Sequence, residues 1–187
     1  MYCHKFKFFV IAFLLTTIHG CSCNKVKLPK EDRTPPNCRW FVKILDLDKT
    51  FELPAGTITM KNCYSIQVSF KVTDDGGVSH IKVKGLGKKA FSGSNAGTYW
   101  LGPENHLEWS EEVNFQPDAQ EMVQISATLY KPFDFTPIYK SNGGGGGLQE
   151  QVITSPGGFL DLQGSGRDYF GSTITSNLRI TTTPKLQ

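Results

Sequence analysis

Apolar and polar residues alternate without a break in two stretches of this chain. Ile66, Val68, Phe70 and Val72 fall on one side while Gln67, Ser69 and Lys71 fall on the other. Val123, Ile125, Ala127 and Leu129 alternate in the same way with Gln124, Ser126 and Thr128. A period of two sends successive side chains to opposite faces of an extended backbone, so each stretch predicts a strand with one buried face. Less regular candidates run from Phe41 to Leu47, Val78 to Val83, Leu107 to Phe115, Phe159 to Leu162 and Thr173 to Thr182. None of these segments has a helical period. About seven short strands divided by turn residues predict an all-β fold, an antiparallel β-sandwich.

Composition agrees. The 19 Gly and 10 Pro among 187 residues suit a turn-rich β protein and would be costly in a helical bundle. A net charge of +3, from 20 basic and 17 acidic residues, excludes a disordered acidic chain and a strongly basic nucleic-acid binder. From Ser22 to Asn37 the chain is polar, charged and interrupted by Pro29, Pro35 and Pro36, which reads as a flexible linker. The remaining ~150 residues are enough for one sizeable core.

The amino terminus is patterned differently. Lys5 and Lys7 precede the apolar run Phe8 to Leu15, which trails to Ile18. This is the order of an export signal. As a helix the run would rise roughly 16 Å, well short of the ~30 Å hydrocarbon layer, so a permanent membrane span is not expected. The run ends in Ile18-His19-Gly20-Cys21, which resembles the lipobox of bacterial lipoproteins, with His19 in place of the usual small residue. The resemblance implies cleavage before Cys21 and a diacylglycerol on its sulfur. Two or three acyl chains at ~0.8 kcal/mol per buried methylene hold a protein durably on a membrane it does not cross. Ser22 lacks the acidic character of an inner-membrane retention signal, so the implied place is the bacterial cell envelope, at the outer membrane. The other reading is a secreted protein without lipid, cut near Gly20.

Cleavage leaves Cys21, Cys23, Cys38 and Cys63. With Cys21 lipidated, a disulfide between Cys38 and Cys63 is expected in an oxidising compartment, the alternative being two small buried residues. The expected division is therefore a signal peptide over 1–20, a tether over 21–37 and a single domain over 38–187.

Within that domain several segments resemble bacterial immunoglobulin-like domains. Thr34-Pro35-Pro36, the strand Ser65 to Thr73 with Asp74-Asp75-Gly76-Gly77-Val78, and Ile81 to Gly85 are similar to the family's opening, second strand, Asp-Gly loop and third strand. Trp109 to Phe115, Gln116-Pro117-Asp118 and Glu121 to Tyr130 are similar to a later strand, corner and strand. The resemblance implies an immunoglobulin-like sandwich and says little of activity. After Tyr130 the pattern departs from the family, with about forty residues before the last strand. This expected insertion holds Phe133, Phe135, Tyr139, five consecutive glycines at Gly143 to Gly147, Tyr169 and Phe170. Its aromatics, with Tyr99 and Trp100, are candidate ligand-binding residues for a glycan or an envelope protein. The plainer reading is that they pin the insertion to the sandwich.

Chemistry is sparse. Gly85-Leu86-Gly87-Lys88-Lys89-Ala90 fits a dinucleotide pattern by letters, but a loop sequence follows where a helix is needed. Glu108, Glu111 and Glu112 form the nearest carboxylate cluster, yet neighbours on a strand face opposite ways, so Glu111 and Glu112 do not line one cleft. Neither His80 nor His106 sits in a nucleophile motif. Asp74 and Asp75 suit a calcium ion with loop carbonyls, but Asp and Gly form tight turns unaided, and a turn is expected. No catalytic residue, metal site or cofactor is expected. These readings predict a lipid-anchored binding or structural module; the alternative is a carbohydrate-processing accessory protein or small hydrolase.

Overall fold

The computed structural model describes residues 25–61, 65–89, 91–92, 106–135, 138–139 and 158–183. Its strands follow in the order β1 (Lys25–Lys27), β2 (Asn37–Ile44), β3 (Lys49–Leu53), β4 (Gly56–Lys61), β5 (Ser65–Thr73), β6 (Val78–Lys88) and β7 (Phe91–Ser92). Then come β8 (His106–Asn114), β9 (Met122–Gln124), β10 (Ser126–Asp134), β11 (Ile138–Tyr139), β12 (Phe159–Asp168) and β13 (Thr173–Thr183). One 3-10 turn, Leu45–Leu47, is the helical element among the described residues.

Two sheets carry the architecture. One has the order β10-β5-β2-β3 and the other β4-β13-β12-β6-β8. Every neighbouring pair in them is antiparallel except β4, which runs parallel to β13. The expected all-β sandwich is thus what the chain forms. The alternation predicted for β5 is complete: Ile66, Val68, Phe70 and Val72 are fully buried and the residues between them are not.

The two sheets meet over one apolar core that includes Trp40, Phe70, Ile81, Trp109, Leu129, Leu160 and Ile180. Trp40 stacks at a tilt on Phe70 with centroids 4.5 Å apart, and its indole N–H donates across the sandwich to Ser176 Oγ at 3.0 Å. That bond gives the buried indole nitrogen a partner. Room for this aromatic pair comes from glycine. A Cβ on Gly164 of β12 would lie 2.6 Å from the Phe70 ring, and one on Gly166 would lie 2.6 Å from Val72. The bare backbone lets the sheets approach where the largest side chains sit.

Several expectations need correction. Phe133 lies on β10, paired with Ile66, and is 4% exposed; Phe135 follows it and is 2% exposed. Both are core residues and not part of an insertion, because β10 keeps its alternation through Asp134. The candidate strand at Phe159 to Leu162 extends to Asp168, so Tyr169 and Phe170 occupy the turn of the β12–β13 hairpin. The described part of the stretch expected as a tether, residues 25–37, is not a free linker. From Lys25 onward the chain lies along the sandwich, with β1 paired to β9, Leu28 N donating to Glu121 O and Lys25 paired with Asp118 at 3.0 Å. Finally, β3 and β4 are strands the alternation did not single out.

Candidate functional site

Once the core is closed, each strand of the five-stranded sheet has one face left for solvent. The register puts those outward side chains in rows running across the strands. In one row Asn177 lies opposite Gln163, Gln163 opposite Lys84, and Lys84 opposite Ser110. The next row is Thr57, Arg179, Asp161, Leu86 and Glu108. Strands stand about 4.8 Å apart, so the four-residue row is about 14 Å long.

These two rows line an open groove of about 790 Å³ over the outer face. The side chains offer a mixed set of donors and acceptors. Arg179 holds Asp161 at 3.2 Å and sits over the Phe159 ring at 5.1 Å, fixing one end of its row. Lys84, Ser110, Gln163 and Asn177 have exposed side chains that make no hydrogen bond or ion pair to another described residue. Leu86, 66% exposed, is the apolar member between them. Two carbonyl-bearing amides, an ammonium and a hydroxyl in line, with a paired guanidinium and carboxylate beside them, can hydrogen bond a polar ligand laid across the strands.

At the far side of the same face, Lys82 and His80 both contact the Glu112 carboxylate. The hydrogen bond from Lys82, then that from His80, holds the Glu112 carboxyl below its ordinary range. Glu111 points inward and accepts the Trp109 indole N–H at 3.0 Å. The opposed facing expected of Glu111 and Glu112 is therefore what the strand provides. Gly85 and Gly87 lie inside β6 against the β12 backbone, so the dinucleotide-like letters belong to a strand.

The candidate residues named from sequence do not converge on this groove. Tyr169 is partly buried, its hydroxyl lacks a partner, and burial pushes its pKa up. Phe170 beside it is 39% exposed. Tyr139 falls on β11, whose partner is β7. Cys21, Tyr99 and Trp100 lie outside the described residues. Cys38 is a free thiol, half buried on β2 opposite Val72, and burial raises its pKa. The disulfide expected at Cys38 is thus not formed in this structure; Cys63 itself lies outside the described residues. Val72 is at the opposite end of β5 from Ser65, roughly 23 Å away along an extended strand.

The sequence missed Lys84, Gln163 and Asn177 because their only mark is an outward position on a strand, shared with dozens of residues. Register, which aligns them, is not written in any one segment. Among the described residues no group of three or more His, Cys, Asp or Glu side chains is placed to hold a metal ion. Compared with known protein families and with curated proteins, the chain matches none.

Proposed function

We propose that this chain is an exported, lipid-anchored protein of the bacterial envelope whose sandwich is a binding module for a glycan. The observation that carries the ligand reading is the row Asn177, Gln163, Lys84 and Ser110, which is in register, exposed and unengaged by the other described residues. Amide and hydroxyl side chains pair well with neighbouring sugar hydroxyls, and a row about 14 Å long matches an extended oligosaccharide better than a compact metabolite. The anchor reading rests on the signal and Ile18-His19-Gly20-Cys21. An immunoglobulin-like arrangement is supported by the strand order: β13-β12-β6-β8 stands where such domains have their last, penultimate, third and following strands, and β10-β5-β2 supplies the facing sheet.

The test is affinity electrophoresis of the chain through gels holding soluble envelope and plant polysaccharides, with Gln163→Ala/Asn177→Ala beside it. Retardation by a defined glycan, lost in the double variant at unchanged thermal stability, is the expected result. Retardation by none would overturn the glycan reading. The hydrolase alternative draws on Glu108 and Asp161, which flank Leu86 in one row. It predicts turnover of a retained glycan, abolished by Glu108→Gln or Asp161→Asn while retardation persists.

A further inference from the structure

Away from the groove, three acidic residues from distant parts of the chain meet at one end of the sandwich. Asp74 opens the turn between β5 and β6, Asp168 ends β12, and Asp32 belongs to the segment between β1 and β2. Asp74 is 6% exposed and Asp168 is 1% exposed. One oxygen of each is well used: Asp74 Oδ1 accepts Gly76 N–H at 2.8 Å, and Asp168 Oδ1 accepts the N–H groups of Phe170 and Ser172, both at 2.8 Å. The other oxygens, Asp74 Oδ2 and Asp168 Oδ2, are buried and receive no donor.

Asp32 caps this arrangement. Its Oδ1 accepts Thr34 N–H at 2.8 Å and Thr34 Oγ–H at 2.6 Å. Its Oδ2 lies so close over Gly76 that a Cβ there would collide with it. Asp32 and Asp74 thus bring two carboxyls to the same glycine, one to its N–H and the other over the place of its missing side chain, and carboxyls crowded in this way are relieved when one carries a proton.

The titratable groups facing Asp74 are Asp32 from the amino-terminal segment and Asp168 from the β12–β13 turn. Tyr169 of that turn packs over Gly77 with its hydroxyl buried, while β9 contributes only the apolar Val123 beside Gly77. The Ile125 carbonyl accepts Asp74 N–H. Arg167 lines the small pocket beside Asp168, and among the described residues no Lys, Arg or His pairs with any of the three aspartates. Buried carboxylates without a countercharge are costly, and the two available remedies are a proton or a cation. The three are not placed to share a metal ion.

We propose that these aspartates form a proton-operated latch, in which one proton held between Asp32 and Asp74 fastens the segment Leu28 to Pro36 to the sandwich and its loss to solvent releases it. Burial first, then the neighbouring Asp32 and Asp168 charges, push the Asp74 carboxyl up to about 6, against the opposing Gly76 N–H bond. The latch therefore works in a range an envelope encounters. Upstream, β1 remains paired to β9, so release loosens the loop between β1 and β2 while both of its ends stay on the sandwich.

The amides of Thr34 and Gly76 report directly, because each donates to one of the two carboxyls. They are followed by NMR in the full chain, held in detergent with EDTA, from about pH 4.5 to 8. The expected result is one shared midpoint near 6 for both amides, with Thr34 exchange protection falling about tenfold per pH unit above it after correction for intrinsic exchange. In Asp74→Asn the shared midpoint disappears. Asp32→Asn, at a half-buried site, keeps the test open if the Asp74 variant fails to fold: Thr34 then loses its titration while Gly76 keeps one. Separate midpoints for Thr34 and Gly76, or undiminished protection at pH 8, would overturn the latch. So would recovery of protection at neutral pH on replacing EDTA with calcium, which would assign the site to a cation.

Discussion

On its inner face the five-stranded sheet presents Ile81, Val83, Trp109, Leu160, Leu162, Leu178 and Ile180; on its outer face the same strands present Lys84, Glu108, Ser110, Asp161, Gln163, Asn177 and Arg179. One backbone supports both. Inside, each residue answers to volume, because close packing leaves few alternatives; outside, stability places little demand on identity, and side chains are free to serve recognition. The contrast teaches where to look for function in an all-β chain: among in-register outward residues that have no protein partner.

The contrast breaks most readily from the inside. Phe70→Ala removes the ring packed on Trp40 and is expected to cost about 3 to 5 kcal/mol, read as a lower midpoint in chemical denaturation. An outer-face substitution of that cost would show the two faces to be energetically alike. Asp74→Asn comes next, with the opposite sign. The folded-state pKa of about 6 lies above the ordinary carboxyl value of 3.8, so the stability linked to this proton is complete below pH 3.8 and is lost as pH rises through 6. The variant should match the parent near pH 3.5 and exceed it near pH 7.5, by at most about 3 kcal/mol; equal stability at both pH values would remove the burial argument.

Gly164→Ala tests close approach of the sheets. Its Cβ meets the Phe70 ring, and a loss of about 1 to 3 kcal/mol is expected in the same denaturation assay. Smallest of all, Gln163→Ala and Asn177→Ala should stay within about 0.5 kcal/mol of the parent in stability while lowering affinity for any retained glycan. Stability loss without binding loss would return these positions to scaffold.

Which class of fold forms was legible from alternation alone. Ile66 to Val72 declares its buried face because period two is a local property of the chain, whereas the expected strand Val123 to Leu129 is broken at the half-buried Ile125 into β9 and β10. The Asp74 to Gly77 turn was legible too, since its residues make that turn by their own side chains and backbone freedom. Phe133 and Phe135 misled because an aromatic residue reads the same on a core strand as on a loop until the partner strand is known. The rows over the outer face and the meeting of Asp32, Asp74 and Asp168 were not legible at all. Sequence by itself determined the period of each strand and the chemistry of the amino terminus, both of which act over a few neighbouring residues. Only the tertiary structure decided which residues share a row or a buried corner, because pairing register and loop path arise from contacts between distant segments, as far apart as the 136 residues between Trp40 and Ser176.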